Sequence, residues 1–255
     1  MTALYDQIGV GYAGLRRADP RIAARLLAAL GPVAPLLNVG AGTGNYEPGD
    51  RRVVAVEPSR EMIRQRPSGA APAVQAAAQA LPFADGAFEA GLAVLTVHHW
   101  PDPLAGLREL RRVVRGRIVI LTFDPAARPW LTDYVPALAA LDEAQMPPLE
   151  VYAQALGQVR ITPLDIPHDC SDGFLHAFWA RPEAYLDTRI RSGSSSFRAL
   201  ADTGAGLERL RADLESGEWD RRYGGLRRHD AYDAGYRIVS ADGSPGSGRR
   251  ASETE

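Results

Sequence analysis

The chain has 255 residues, of which 45% are hydrophobic, and its formal net charge at pH 7 is −2. This length can bury one substantial core, and the slightly acidic balance does not indicate a polyanionic partner. All basic side chains other than histidine are arginines, which excludes Schiff-base chemistry and a phosphate-loop lysine.

The cysteine content and the N-terminal residues bear on the cellular compartment in which the protein is expected. Cys170 is the single cysteine, so no intrachain disulfide can form, as expected in a reducing environment. Residues 1–6 lack the basic start and the apolar segment of a secretory signal. No stretch approaches the roughly 20 apolar residues of a membrane span. We therefore expect a cytoplasmic protein that does not cross a membrane.

The predicted elements of the first half alternate between helices and strands. Asp19 and Pro20 begin a helix that ends before Gly31. Strands are predicted at 36–40, 52–57, 73–77, 89–97 and 117–123, with helices near 59–66 and 103–114. The last two of these strands are near-continuous apolar runs, as expected for strands that are covered on both faces. The alternation predicts a doubly wound, mostly parallel α/β sheet, whose ligands bind at the carboxyl ends of the strands.

The pattern changes after residue 125. Helices are predicted at 130–145 and 148–157, a strand at 159–166, and a further strand at 232–239. Residues 241–255 are rich in Gly and Ser and contain too few apolar side chains to bury, so a disordered tail is expected there.

A glycine-rich turn follows the first predicted strand. Gly40, Gly42 and Gly44 occupy alternate positions, where glycine lets the backbone turn sharply and approach a ligand closely. The next strand ends on Glu57, and a carboxylate at that place can accept hydrogen bonds from a ribose diol. Together the two features predict a nucleoside-binding crevice at the ends of adjacent parallel strands.

The spacing of the glycines and the length of the segment that follows them argue against a dinucleotide as the ligand. Asn45 stands where the dinucleotide fingerprint needs glycine. Only residues 43–51 are available as a crossover, which leaves room for one or two helical turns. A pyrophosphate is normally held by a full helix N-terminus. A cofactor with adenosine but no phosphate, such as S-adenosylmethionine, suits this turn better.

Several motifs in this order resemble the class I S-adenosylmethionine-dependent methyltransferases, in their small-molecule group. They are the glycine turn, Glu57-Pro58-Ser59, Leu81-Pro82-Phe83, His98-His99-Trp100 and the helix over 107–113. The resemblance implies a Rossmann-like sheet of seven strands in one domain over 1–240, the last two strands antiparallel. Residues 125–158 and the insertion 168–230 would then form a helical substrate cap, or an extra helical layer packed elsewhere.

The resemblance also implies which residues bind the cofactor. These are Tyr12, Arg16, Asn38, Gly40, Ala41, Gly42, Glu57, Pro58, Met62, Ala78, Gln79 and Leu95. Two positions depart from the family pattern, because many members carry an acidic residue where Asn38 and Ala77 stand. Since Ala77 has no polar group for the adenine, Gln79 or the backbone would have to bind it. Tyr12 could equally be a packing aromatic.

His98 and His99 are the candidate catalytic residues. Methyl transfer depends on positioning and desolvation of the nucleophile, and an oxygen nucleophile also needs a base to take its proton. The resemblance places the turn after the fourth strand beside the transfer site. On an extended backbone adjacent residues face opposite ways, so we expect one histidine to point inward. Alternatively, either is a structural histidine that caps the turn or stacks on Trp100.

Other groups of residues are weaker candidates for a functional site. His168, Asp172 and His176 have metal-like spacing, but Pro167 and Gly173 argue against a continuous helix, so no metal is expected. Cys170 beside His168 could form a nucleophile pair, although no flanking residue supports it. The arginine cluster over 108–117 is expected to be a solvated helix face rather than a nucleic-acid site, because aromatic residues do not interleave it.

The sequence therefore predicts methyl transfer from S-adenosylmethionine to a small organic acceptor, at oxygen rather than nitrogen or carbon. Neither a nucleic acid nor a membrane is an expected partner, and no pattern indicates the oligomeric state. One alternative is a repurposed methyltransferase fold that binds the cofactor without transferring a methyl group. Another is a nicotinamide oxidoreductase, against which Asn45 and the short crossover count.

Overall fold

The structure is a computed structural model that describes residues 16–243. Its strands are β1 (Leu36–Val39), β2 (Val53–Val56), β3 (Ala73–Val74), β4 (Phe88–Val94), β5 (Val114–Phe123), β6 (Val159–Pro163), β7 (Ile166–Pro167), β8 (Ala231–Tyr232) and β9 (Tyr236–Ala241). Its helices are α1 (Pro20–Leu30), α2 (Arg60–Arg64), α3 (Pro103–Val113), α4 (Leu131–Tyr134), α5 (Ala137–Gln145), α6 (Glu150–Leu156), α7 (Thr188–Ser192), α8 (Ser195–Ala199), α9 (Gly204–Ser216) and α10 (Glu218–Tyr223). Short 3₁₀ turns lie at Val97–His99, Pro182–Leu186 and Gly224–Arg228.

Seven of the strands form one sheet in the order β3-β2-β1-β4-β5-β9-β6. The pairs among β1 to β5 are parallel, whereas β9 runs antiparallel to both of its neighbours. The strand order reverses direction between β1 and β4, which is where ligands of doubly wound sheets bind. The predicted seven-stranded, mostly parallel sheet with an antiparallel last pair is confirmed.

Helices cover both faces of this sheet. Helix α1 places Ile22, Leu26 and Leu30 in one hydrophobic cluster, and α3 and α6 contribute to a second cluster on the other side. The predicted start of α1 is confirmed, because the Asp19 carboxylate accepts a hydrogen bond from the Arg21 amide at 2.9 Å. Gly31 ends this helix with a φ of 74°. The rigid sheet between the two clusters fixes where the strand ends lie.

The fourth strand is shorter than predicted. The interpretation of 89–97 as one strand is wrong, because β4 ends at Val94 and Leu95 turns with a φ of 50°. The Leu95 amide still reaches β5 by donating to the Leu121 carbonyl at 2.8 Å. Residues 97–99 then form a 3₁₀ turn, closed by a hydrogen bond from the His99 amide to the Thr96 carbonyl. This turn sets the direction of both candidate catalytic histidines.

The predicted strands over 159–166 and 232–239 are each divided. β6 ends at Pro163, which has no amide hydrogen with which to continue the ladder. The chain then forms the small β7–β8 ladder, which pairs Ile166 with Tyr232. Only β9 returns to the main sheet. Between 16 and 243, no helix combines the length and the apolar character that a membrane crossing requires.

A third hydrophobic cluster lies outside the sheet and is centred on Trp130. Its indole donates to the Trp179 carbonyl at 2.8 Å, and its ring packs edge to face with Tyr134, Tyr185 and Trp219. Helices α9 and α10 of the insertion supply part of this cluster. By contrast, residues 174–176 and 193–196 of the insertion lie at the carboxyl end of the sheet, where they line a cavity.

Candidate active site

The glycine turn after β1 is held against the end of β2 by its own backbone. The amides of Gly40 and Ala41 both donate to the Val56 carbonyl, at 2.8 and 3.0 Å. Gly40 and Gly42 have φ values of 68° and 54°, which side-chain-bearing residues rarely adopt. A Cβ atom on Gly40 would lie 2.0 Å from the Thr96 hydroxyl oxygen. The turn therefore requires glycine at position 40.

Glu57 fixes the other side of this turn. It follows β2, is only 4% exposed, and accepts hydrogen bonds from the Gly42 amide at 2.8 Å and the Ser59 amide at 2.9 Å. Ser59 in turn caps α2 by accepting from the Met62 amide. The carboxylate thus lies at the tip of β2 and connects the glycine turn to α2.

A crevice opens between these elements. The structure brings together five of the predicted cofactor residues in its lining: Arg16, Asn38, Ala41, Gly42 and Met62. The sequence interpretation missed the other four lining residues, Thr43, Asn45, Tyr46 and Val94. Three of these follow the glycines directly, so the turn itself was a signal for them. Tyr12 lies outside the described residues.

Asn38 presents an unused hydrogen-bond acceptor in this crevice. Its side-chain amide nitrogen donates to Glu47 at 3.1 Å, and Glu47 is ion-paired with Arg66 at 2.6 Å. The other amide atom, Oδ1, is buried and has no hydrogen-bond partner in the described part of the chain. A buried acceptor without a partner is costly unless a ligand supplies the donor. Glu47 also brings an acid next to the position where many family members carry one.

The remaining predicted cofactor residues, which include Gly40 and Glu57, are not among the lining residues of the crevice. Pro58 is exposed, and Gln79 is partly exposed. The Ala78 side chain belongs to the hydrophobic cluster under α3, where it packs near Gly106. Any contact of Ala78 with a ligand must therefore come from its backbone. Leu95 lines a neighbouring cavity instead.

That second cavity, here called the acceptor cavity, shares Arg16 with the crevice. Its polar lining includes His98, His99, Asp142 and His176, and its apolar lining includes Phe123, Met146, Phe174 and Tyr236. It lies between the ends of β4 and β5 and the insertion. A small molecule in this cavity would therefore be next to a ligand in the crevice.

Both candidate catalytic histidines line the acceptor cavity. The expectation that His98 and His99 face opposite ways is wrong, because the backbone there is a 3₁₀ turn, and their ring centroids are 3.8 Å apart. Burial, followed by the charges of His99 and Arg16, lowers the pKa of His98 well below its usual value. Burial and Arg16 lower the pKa of His99 to about 4. Both rings are therefore neutral at physiological pH and able to accept a proton.

Arg16 is oriented by a residue of the insertion. Its guanidinium forms two hydrogen bonds with the fully buried Asp172, at 2.6 and 3.2 Å. The Tyr46 hydroxyl donates to the same carboxylate at 2.8 Å. This network joins the crevice to the insertion and fixes the arginine between the two cavities. The prediction that Arg16 binds the cofactor stays a prediction.

The other predicted constellations have structural roles. Cys170 is buried, and burial raises the pKa of its thiol to about 12, so it carries no reactive thiolate at neutral pH. Within 16–243, no group of three potential ligands could hold a metal ion. Four arginines of the 108–117 cluster are bound to carbonyl or carboxylate groups of neighbouring segments: Arg111, Arg112, Arg115 and Arg117.

Comparisons with known proteins agree with this geometry. The Methyltransferase domain family matches residues 37–120. A candidate methyltransferase from an antibiotic biosynthesis pathway of Anabaena variabilis is 36% identical, with a TM-score of 0.81, over 89% of this chain and 98% of that one. An S-adenosylmethionine-dependent methyltransferase of Thermotoga maritima, suggested to be a histamine N-methyltransferase, has a TM-score of 0.57 at 13% identity, over 94% and 98% of the two chains.

One curated protein also matches over a short stretch. It is the uncharacterized protein YafE of Escherichia coli, which is 41% identical over 49 residues. These residues are 18% of this chain and 24% of that protein, so the match spans about a quarter of the curated relative.

The seven-stranded sheet and the crevice at its switch point define a methyltransferase of the Rossmann-like type. The chain belongs to the class I S-adenosylmethionine-dependent methyltransferases, and S-adenosylmethionine is its cofactor. The residues of the crevice suit this cofactor, since Gly42 lines it without a Cβ atom and Asn38 presents an unpaired acceptor. The buried Glu57 carboxylate lies outside this lining and binds the Gly42 amide.

Proposed function

We propose that this enzyme methylates a small organic acceptor at oxygen, and that the acceptor binds in the acceptor cavity. The observation that carries the proposal is the pair of neutral imidazoles, His98 and His99, which line this cavity beside the cofactor crevice. The Anabaena relative, from an antibiotic pathway, supports a small-molecule acceptor.

The chain contributes binding and orientation in the crevice. The bound cofactor supplies an electrophilic methyl group on a sulfonium. We assign the ribose hydroxyls to the Glu57 carboxylate, because it lies at the tip of β2 as ribose-binding acids do. Asn38 Oδ1 is the acceptor for the ammonium group, and Met62 packs beside Gly42 at the crevice wall. The backbone at Gly40 to Gly42 permits the close approach.

In the acceptor cavity, the two histidines act on the proton of the acceptor. A hydroxyl must lose its proton as it attacks, and a neutral imidazole within hydrogen-bond reach can receive it. A pKa of about 4 keeps His99 neutral throughout the neutral range, and it also makes the ring a weaker base than a free imidazole. The apolar walls around Phe123, Phe174 and Tyr236 exclude water, which strengthens the hydrogen bonds and protects the nucleophile.

The insertion 168–230, together with 125–158, forms the substrate cap in this proposal. Residues 174–176 and 193–196 border the acceptor cavity, so the insertion would limit the size of the acceptor. A nucleic acid is not part of the proposal, since the arginine cluster over 108–117 is largely engaged in contacts within the chain.

Replacing each histidine by alanine tests the proposal. Loss of a general base slows turnover by about 100-fold or more, so we expect His98→Ala or His99→Ala to lose at least this much at saturating substrate. Binding of S-adenosylhomocysteine should change little, because neither histidine lines the crevice. The acceptor is first identified by mass spectrometry as a metabolite that gains one CH₂ only when the enzyme and the cofactor are both present.

His229→Ala is the matched control, since His229 is exposed and distant from both cavities in the lining of a separate surface cleft. The control should keep the wild-type rate. If both His98→Ala and His99→Ala also kept it at saturating acceptor, proton removal by these histidines would be excluded.

A further inference from the structure

We propose that Asp142 is the residue that selects the acceptor, by accepting a hydrogen bond from a second hydroxyl or amine group of the molecule, and that His176 forms the other half of this polar subsite. The inference rests on the proposed function, because it concerns the same cavity. It adds a chemical requirement on the acceptor: a donor group besides the atom that is methylated.

Asp142 is buried in an environment that gives its carboxylate too few partners. It lies on α5, is 2% exposed and lines the acceptor cavity. Its Oδ2 atom is buried and lacks a hydrogen-bond partner anywhere in the described 228-residue span from 16 to 243. Buried carboxylates are normally paired or hydrogen-bonded, since an isolated one is strongly destabilising. A donor from a bound molecule would satisfy it.

The nearby cation does not neutralise this carboxylate. Arg128 influences Asp142 electrostatically, but its guanidinium is bound to the Glu143 carboxylate and to the carbonyl of Pro125. Burial raises the pKa of Asp142 to about 6, in spite of the opposing effect of Arg128. Most Asp142 side chains are therefore charged at neutral pH and still lack a partner.

His176 contributes a second unsatisfied atom to the same cavity. It comes from the insertion, is 1% exposed, and its Nε2 also has no partner among the residues described. The ring is held in place by stacking on Phe123, at a centroid distance of 5.2 Å, and its backbone amide donates to the Tyr236 hydroxyl. Burial lowers the pKa of His176 to about 3, so the ring is neutral.

Two elements that are far apart in sequence thus bring two unpaired polar groups to one cavity. Its other lining residues include an apolar set and a polar set: Leu95, Phe123, Met146, Phe174 and Leu175 on one hand, and Arg16, His98, His99 and Ser194 to Ser196 on the other. A hydrophobic acceptor with a single reactive hydroxyl would leave both groups without partners. A carboxylate or phosphate on the acceptor would be repelled by Asp142. The structure therefore favours an acceptor with an apolar body and two donor groups, of which one is methylated.

The matched variants for the test are Asp142→Asn and Glu143→Gln. Both remove one negative charge from α5, but Glu143 is exposed and points away from the cavity towards Arg128. His176→Phe is a third variant, which keeps the stacking on Phe123. Each variant is saturated with S-adenosylhomocysteine and incubated with a library of natural-product alcohols and phenols. In this library every diol or amino alcohol is paired with the analogue that lacks the second donor. Retained compounds are then identified by mass spectrometry.

We expect the wild type and Glu143→Gln to retain the two-donor member of a pair about tenfold or more over its analogue, as a hydrogen bond to a buried charge provides. Asp142→Asn should reduce this preference, because the asparagine amide oxygen accepts a hydrogen bond without the added strength that the charge gives. Its melting temperature at pH 8 should equal or exceed that of the wild type, because a buried charge without a partner has been removed.

The opposite results would overturn the inference. These are no preference for the second donor in the wild type, an unchanged preference in Asp142→Asn, or a fall of its melting temperature at pH 8 by several degrees, as a structural role requires. The test is independent of turnover. If two-donor compounds were retained but no compound of the library were methylated when S-adenosylmethionine replaced S-adenosylhomocysteine, the result would count against the proposed function and leave the subsite intact.

Discussion

Gly40→Ala is expected to abolish methyl transfer and to weaken the binding of S-adenosylhomocysteine by at least about 100-fold, equivalent to about 2.7 kcal/mol. The added Cβ would lie 2.0 Å from the hydroxyl oxygen and 2.8 Å from the Cβ of Thr96. Thr96 is buried and β-branched, so it cannot rotate away cheaply. The left-handed backbone at Gly40 adds a further cost for alanine.

The clash would be relieved only by moving the glycine turn or the segment that leads to His98. Either movement separates the cofactor crevice from the acceptor cavity. Isothermal titration of the variant with S-adenosylhomocysteine measures binding in the crevice, and the rate of S-adenosylhomocysteine formation measures methyl transfer to the acceptor. Wild-type affinity in Gly40→Ala would show that the turn can adapt, contrary to the geometry described above.

Gly31→Ala is the control for backbone strain alone. Gly31 also has a positive φ, 74°, but an added Cβ there would meet no other described atom within 4 Å. This variant should lose about 1–3 kcal/mol of the free energy of unfolding and bind the ligand normally. The difference between the two alanine variants then isolates the steric contact with Thr96.

A marked loss of stability in mild acid is the second large effect that we expect. Burial lowers the pKa of His176 to about 3 and that of His99 to about 4, and it lowers the pKa of His98 well below its usual value. In the unfolded chain these groups titrate near pH 6.5. Below that pH the histidines bind protons in the unfolded state but remain neutral in the folded state. The free energy of unfolding therefore falls as the pH decreases.

Each of the three histidines lowers the free energy of unfolding at pH 5 by an amount on the order of 1–2 kcal/mol relative to pH 7.5. Asp142 acts in the opposite direction, because its pKa is raised to about 6 and the folded state therefore takes up a proton as the pH falls through that value. This gain is about 1 kcal/mol at pH 5 and offsets only part of the loss. A net decrease of a few kcal/mol should remain.

Urea denaturation at pH 7.5 and pH 5 measures this decrease. His176→Phe removes one of the groups responsible and should reduce the difference between the two pH values by about 1–2 kcal/mol. The exposed His229→Ala should leave the difference unchanged. Equal stability of the wild type at both pH values would mean that the three histidines are accessible to protons in the folded state.

Much of the fold could be predicted because the signals are local. The apolar runs that became β4 and β5 and the caps at Asp19 and Gly31 depend on neighbours in sequence. The glycine turn and Glu57 were also recognisable in the sequence, because each directly follows a predicted strand. The antiparallel last pair followed from the resemblance to the methyltransferase family.

The acceptor cavity could not be predicted, because its residues come together only in three dimensions. Asp142 lies within a predicted helix, and its neighbours in sequence do not indicate that it is buried without a hydrogen-bond partner. Tyr46, Arg16 and Asp172 form one network across 156 positions of the chain. The turn at His98 and His99 was missed for a different reason: an apolar run continues through Val97, but the positive φ of Leu95 ends the strand earlier.

The central claim is that S-adenosylmethionine binds in the crevice at the carboxyl ends of β1 and β4, and a crystal structure with S-adenosylhomocysteine tests it most directly. We expect the ribose hydroxyls on Glu57, the ammonium group within hydrogen-bond distance of Asn38 Oδ1, and the sulfur atom towards His98 and His99. A ligand bound elsewhere, or a crevice that remains closed by its own side chains at saturating ligand, would contradict the claim.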